Sequence, residues 1–208
     1  MKYDPDIHHR RSIRLKGSNY KQAGAYFITV CTQDRACFFG NVVDGEMLSS
    51  DSGRVAQAAW SDLPGRFQNI NLDEFVVMPN HIHGIILVGT QFIAPTNSSQ
   101  PPIANTDQGA INRAPTLGRI IRAYKAVTTR HIRQTANATF AWQRNYYEHI
   151  IRNYESLNRI RQYILDNPTR WVFDRENPEA TAPEARDPLT IISPISILLD
   201  ASNECAYL

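Results

Sequence analysis

No stretch of this sequence is apolar for long enough to cross a bilayer. The longest such run, Ile82 to Val88, is broken by His83 and Gly84 and falls far short of the roughly 20 residues a spanning helix needs, so no membrane partner is expected. The opening residues, MKYDPDIHHRR, are polar where a secretory leader would carry its hydrophobic segment. Cysteine is scarce: Cys31, Cys37 and Cys205 make neither an even-numbered disulfide framework nor a metal-binding spacing, which fits a reducing cytoplasm. A GxxxxGK[ST] phosphate loop is absent, and no internal repeat is visible. What remains is a chain of 208 residues, 42% of them hydrophobic, enough for one folded domain with a proper core and some additions.

The net charge is only +2, yet it is unevenly laid out. Residues 1–21 carry a net +4, residues 22–112 a net −5, residues 113–175 a net +8 and residues 176–208 a net −5. The +8 block also holds Trp142, Tyr146, Tyr147, Tyr154, Tyr163 and Trp171. Cations beside flat rings are the combination that holds phosphates and unstacked bases. A solvated basic face on an ordinary domain gives the same count, so charge alone leaves both readings open.

Residues 1–20 form a basic arm without clean alternation. From Ala25, AYFITVCT has the β-branched and aromatic character of a first strand. Residues 37–49 suggest a hairpin turning at Asp44-Gly45. Val55 to Leu63 reads as a helix, with Val55, Ala58, Ala59 and Asp62 at helical spacing and Pro64-Gly65 as its stop. FVVMPNHIHGIILV, residues 75–88, reads as one strand with a bulge or break at Pro79, resuming at about His81. Residues 90–116, rich in Pro, Ser, Thr, Asn and Gln, read as a flexible insertion. Thr116 then caps a helix over 117–134 whose apolar stripe is Leu117, Ile120, Ile121, Tyr124 and Val127, with Arg119, Arg122, Arg130 and Arg133 mostly off it. Residues 142–152 fit a strand or an irregular segment. A last helix runs from about Glu155 to Asn167 and stops at Pro168, and the acidic tail, 173–208, shows no clear pattern. Strands and helices mixed without strict alternation favour an α+β sandwich, helices packed on one face of an antiparallel sheet.

Chemistry concentrates at two places. On a strand, alternate side chains share a face, so His81 and His83 point the same way while Ile82 points into the opposite layer. Two imidazoles so placed can ligate one divalent metal, although a structural pair has the same spacing. On the last helix, Tyr163 and Asn167 share a face with Arg159, while Leu157, Ile160 and Ile164 form the adjoining stripe that docks the helix on the sheet. An ordinary amphipathic boundary would look alike.

MPNHIHGIILV resembles the HUH motif of the single-tyrosine transposases, in which two histidines flank a large apolar residue. WQRNYYEHIIRNYESLNRIRQYILDNP resembles the downstream signature of the REP-associated tyrosine transposases, the branch of that family (of the insertion-sequence 200-like type) in which a WQ…(aromatic)-E-H-x-I-R element precedes Y-I-x-x-N-P. With AYFITV as first strand, the likeness spans about residues 21–172. It leaves the arm at 1–20, the insertion at about 90–116 and the tail at 173–208 unmatched.

The resemblance implies a ferredoxin-like α+β fold of the HUH endonuclease type, with residues 21–172 as the catalytic domain. It implies His81 and His83 as metal ligands, Asn167 as the third, amide-oxygen ligand where many relatives outside this branch use glutamine, and Tyr163 as the nucleophile. The implied metal is Mg²⁺ or Mn²⁺, which suits imidazole and amide oxygen with waters. No nucleotide cofactor is expected, because the phosphoester is exchanged rather than hydrolysed. The implied activity is cleavage and rejoining of single-stranded hairpin DNA through a 5′-phosphotyrosine, by a monomer or homodimer in the cytoplasm, associated with the nucleoid. Arg119, Arg122, Arg144, His149, Arg152 and Arg159 are the candidate DNA contacts; His149 reads more readily as an anchor, and Glu148 stays ambiguous. Two other readings stand beside this one. One is a domesticated protein that grips hairpin DNA without cutting it. The other is an unrelated metal-dependent hydrolase joining His81 and His83 to a carboxylate such as Asp73 or Glu74. The acidic tail, opposite in charge to the +8 block, could fold back on the site.

Overall fold

The computed structural model describes residues 24–89 and 116–180. The basic arm, nearly all of the 90–116 insertion and the tail beyond residue 180 therefore lie outside the described residues. Six strands and four helices are described, in the order β1 (Gly24–Cys31), β2 (Gly40–Val43), β3 (Glu46–Ser49), α1 (Asp51–Ser61), α2 (Leu63–Arg66), β4 (Ile70–Val77), β5 (His81–Val88), α3 (Leu117–Thr135), β6 (Tyr147–Ile151) and α4 (Tyr154–Asp166), followed by a 3₁₀ turn over Pro168–Phe173.

The main sheet has the order β4-β5-β1-β6 and is antiparallel throughout. With α1 between β1 and β4 and α3 between β5 and β6, this is the βαββαβ order of a ferredoxin-like α+β sandwich, as expected. Both crossover helices pack on one face, where Tyr26, Ile28 and Val30 of β1 and Ile82 and Ile86 of β5 meet Trp60 of α1 and Leu117, Ile120, Ile121 and Tyr124 of α3. The strict alternation of β1 and β5 leaves the other face to Ala25, Phe27 and Ile85. The additional helix α4 docks there through Leu157, Ile160 and Ile164, the stripe read from the sequence.

Several local features follow directly from residue chemistry. Asp44 and Gly45 both have positive φ, 52° and 78°, as a two-residue turn matching strand twist requires, and they join β2 to β3. Ser50 caps α1 by accepting from the Gly53 N–H at 3.1 Å, and Asn153 caps α4 by accepting from the Ser156 N–H at 2.8 Å. Thr116 precedes α3 in an extended conformation but makes no side-chain cap. Residues 147–151 resolve to a strand, pairing with β1.

Two expectations need correction. Pro79 is not a bulge in one strand. The chain reverses there, with the Met78 N–H bonded to the His81 carbonyl at 2.8 Å, so that β4 and β5 form a hairpin. The irregularity falls instead between Leu72 and Phe75. Helix α1 begins four residues earlier than the apolar spacing suggests, and its buried face is Ser52, Gly53, Ala56, Ala59 and Trp60, with Pro64-Gly65 inside α2 rather than acting as a stop. Small residues take that face because a Cβ on Gly53 would come within 2.3 Å of the Phe39 carbonyl oxygen, and hydrophobic spacing does not register such close approach. The last helix stops at Pro168 as read from the sequence, with Asn167 as its C-cap at φ −58° and ψ −44° and Pro168 starting the 3₁₀ turn where no N–H is needed.

Candidate metal and nucleophile site

β5 sets His81 and His83 on the α4 face of the sheet, opposite Cys31 and Thr29 of β1. Both are buried, and their Nε2 atoms stand 3.1 Å apart. Asn80 fixes the first ring. Its Nδ2 donates to the carbonyls of Arg35 at 3.0 Å and Glu176 at 2.6 Å. Its Oδ1 therefore faces His81 Nδ1 at 2.9 Å as an acceptor, so Nδ1 carries the proton and Nε2 presents a lone pair. Thr29 Oγ1 holds His83 by Nδ1 at 2.8 Å. On one side of the pair, α4 brings Tyr163, whose hydroxyl lies 3.3 Å from His83 Nε2. Phe27 supports both rings, stacked on His83 at 5.3 Å and edge-on to Tyr163 at 6.0 Å.

Burial lowers both histidines, His81 to about 4 against the opposing effect of Glu176, and His83 well below its ordinary value with His81 as the second cause. Both are neutral near pH 7, the state a metal ligand needs. In the unfolded chain each imidazole titrates near 6.5, so the unfolded state binds more protons below that pH. The stability tied to neutral His81, roughly 3 kcal/mol, is present above pH 6.5 and is lost as the pH falls towards 4. Asp174, whose carboxyl burial raises, works against this only at the acid end. Tm measured without metal should drop steeply between pH 6.5 and 4; a flat profile there would mean the imidazoles are not buried.

A third partner of the two histidines, a carboxylate, is one the sequence reading did not assign. Asp174, just past the 3₁₀ turn, places a carboxylate oxygen 3.9 Å from His81 Nε2, and ligand atoms of His81, His83 and Asp174 all lie within 4.8 Å of one another. Because burial keeps His81 neutral, this contact is not an ion pair. Asn167 is buried at 2% exposure with its side chain facing His81, whose protonated form it favours, and its Oδ1 makes no well-formed hydrogen bond. Two imidazole lone pairs, a carboxylate and an unpaired amide oxygen form a donor set that a divalent ion satisfies, so the residues present fit such a metal. Neither Asp73 nor Glu74 belongs to the cluster. Asp73 instead gives both oxygens to Arg161, at 2.7 and 2.6 Å, tying α4 to the irregularity in β4, and that pairing pulls its carboxyl below the usual range.

The segment after Asp174 continues across the site. Arg35 pairs with Glu176 at 3.1 Å, and the Cys31 thiol donates to the same carboxylate at 3.6 Å. Burial and then Glu176 push that thiol up, so it is an inert structural group. The ring of Trp171 lies 6.1 Å from that of His81.

The candidate DNA contacts separate. Arg119 and Arg122 are exposed on α3, in the layer behind the sheet, away from the histidines. An open hollow lined by Lys125, Arg130, Arg133 and Trp142 lies in the same layer, where Lys125 is engaged with the carbonyls of Gln143 and Asn145 at 2.7 Å each. Arg144 is exposed in the connection to β6, and Arg152 is exposed between β6 and α4. Arg159 pairs with Glu155 at 3.1 Å along the exposed side of α4, whereas His83 Nε2 lies 3.3 Å from the Tyr163 hydroxyl. His149 pairs with Phe27 across β6 and β1 and so shares the histidine face, with burial lowering its pKa. Glu148 points to the other face and keeps one buried oxygen unpaired. No helix among the described residues is long and apolar enough to cross a membrane.

No family profile matches the chain. Over 180 residues it is 41% identical to an uncharacterized protein of Haemophilus influenzae (strain ATCC 51907 / DSM 11121 / KW20 / Rd), covering 84% of this chain and 96% of that one. Among solved structures it resembles a REP-associated tyrosine transposase bound to a REP hairpin, at 19% identity and a TM-score of 0.49, over 76% of this chain and 74% of that chain.

Proposed function

We propose that this chain, which belongs to one family with the uncharacterized Haemophilus influenzae protein, is a single-tyrosine HUH transposase of the REP-associated kind that cleaves and rejoins single-stranded hairpin DNA. The observation that carries this reading is the Tyr163 hydroxyl 3.3 Å from His83 Nε2, beside two buried imidazoles 3.1 Å apart. A lone histidine pair would suit many metal proteins; a phenol delivered to its edge by a separate helix suits transesterification.

His81, His83 and Asn167 would hold Mg²⁺ or Mn²⁺, which when bound withdraws charge from the scissile phosphate. The rest falls to side chains. Tyr163 Oη attacks phosphorus, its proton passes to solvent, and the leaving 3′ oxygen takes up a proton to become a free hydroxyl. The 5′ phosphate stays on the tyrosine, and attack by another 3′-OH reverses the step without nucleotide hydrolysis. Asn80 and Thr29 keep the imidazoles oriented, while Phe27 packs against both His83 and Tyr163. Arg144, Arg152 and Arg159 are the exposed cations best placed to meet phosphates beside α4 and β6.

A second reading draws on Asp174: two histidines and a carboxylate also form a hydrolase site, in which Tyr163 would be dispensable. One gel separates the readings. A labelled single-stranded hairpin incubated with protein and Mn²⁺ should give a covalent protein–DNA band on a denaturing gel, lost in His81→Ala. Product without any covalent band favours the hydrolase. Binding without cleavage, across several hairpins and both metals, favours a non-catalytic hairpin-binding protein.

A further inference from the structure

Asp174 raises a question of charge. Its side chain is only 8% exposed. One oxygen accepts from the Glu176 N–H at 2.6 Å, and the other faces His81 Nε2. Asn80 directs the only ring proton of His81 the other way, so a ring lone pair and a carboxylate oxygen face each other. A carboxylate desolvated against a lone pair is unfavourable unless a cation stands between them.

The carboxylate is also held there. Glu176 is gripped by Arg35 and Cys31, its carbonyl by Asn80, and the Asn177 Nδ2 donates to the Trp171 carbonyl at 2.9 Å. These bonds fix both sides of Asp174, so its approach to the histidines is built into the fold. Across the cluster, Asn167 contributes its buried, unpartnered Oδ1. Donors around a six-coordinate ion with bonds of about 2.1 Å stand about 3 Å apart when adjacent and about 4 Å when opposite. The observed separations of 3.1 Å between the histidines and 3.9 Å from His81 to Asp174 fall in that range.

We propose that Asp174 is a fourth protein ligand of the divalent metal, joining His81, His83 and Asn167. This rests on the metal-dependent reading above and deepens it. A carboxylate makes the set three neutral donors and one anion, which favours an oxygen-preferring divalent ion such as Mn²⁺ and lowers the net charge of the loaded site from +2 to +1. It also leaves fewer positions for water and phosphate oxygens.

The test uses the full chain and Mn²⁺ alone, titrated by calorimetry and by the electron paramagnetic resonance signal of free Mn²⁺. Asp174→Asn keeps the shape and removes the charge. It should weaken the Mn²⁺ Kd by about tenfold or more and shrink the rise in Tm that Mn²⁺ produces, while the metal-free Tm stays level or rises. Glu176→Gln, which loosens the grip but keeps Asp174, should weaken binding less. If Asp174→Asn binds Mn²⁺ within twofold of the parent while His81→Ala does not bind, the assignment of Asp174 is overturned. Adduct formation by the parent would then leave the transposase reading standing. No Mn²⁺ binding by the parent, with no adduct, would overturn both.

Discussion

Tyr163→Phe is expected to abolish the covalent protein–DNA band, with cleavage falling by about 10³-fold or more, while the fold and hairpin binding persist. Only the hydroxyl is removed. The ring keeps its contact with Phe27 at 6.0 Å and with His83 at 5.2 Å, and Leu157, Ile160 and Ile164 still dock the helix. Losing a partly buried hydroxyl costs about 1 kcal/mol or less, so Tm should move by no more than a few degrees. Hairpin affinity should stay within about twofold, because phosphate contacts rather than the phenol dominate affinity. A variant that still forms the adduct would remove Tyr163 as the nucleophile. One that cuts at the parent rate without an adduct would favour the hydrolase.

The largest effect on stability is expected from Gly84→Ala, one residue beyond the histidine pair. Gly84 lies on the α1 face of β5, and the indole of Trp60 lies flat against it. An added Cβ would fall 2.3 Å from Trp60 Cζ2 and 2.9 Å from Cη2. The ring has no free direction in which to retreat, since Trp60 stacks on Phe75 at 4.8 Å, meets Tyr124 edge-on at 5.4 Å and is 1% exposed. Overpacking of this kind costs about 1–3 kcal/mol or more, a fall in Tm of roughly 2–12 °C for a chain of this size, read by thermal unfolding. Pairing it with Trp60→Phe should restore part of the loss, because the smaller ring vacates the contact and removes an indole N–H that has no partner. An unchanged Tm in the single variant would show that the sheet can shift to admit the methyl.

These two sites differ in how far the sequence announced them. His81 and His83 were legible because a strand sorts residues by parity, and Tyr163 and Asn167 because a helix aligns residues four apart. The Asp44-Gly45 turn and the stripes of α3 and α4 were legible for the same reason: each depends on neighbours within one element. Asp174 was not, because its place beside His81 comes from the turns on either side of it, which no local period encodes. Asn80 stood in plain view beside His81, but its task depends on two carbonyls, of Arg35 and Glu176, from distant segments. The turn at Pro79 was misread because an apolar run on each side of a proline fits an interrupted strand as well as a tight hairpin. The face of α1 was misread because Ser52 and Gly53 are buried for their smallness.

The pairing of β1 with β5 sets a length against which the proposed hairpin substrate can be measured. His81 opens β5, and Val88, seven residues on, pairs with Gly24. At about 3.3 Å per residue, the points where the chain enters β1 and leaves β5 stand about 23 Å from His81. Along a duplex rising about 3.4 Å per base pair, that is nearly seven base pairs. For a hairpin lying along the sheet with its foot at Tyr163, the strand is a ruler. Stems shorter than about seven pairs would end before that far edge of the sheet. Affinity measured against stem length should then rise until the stem reaches it and level off beyond.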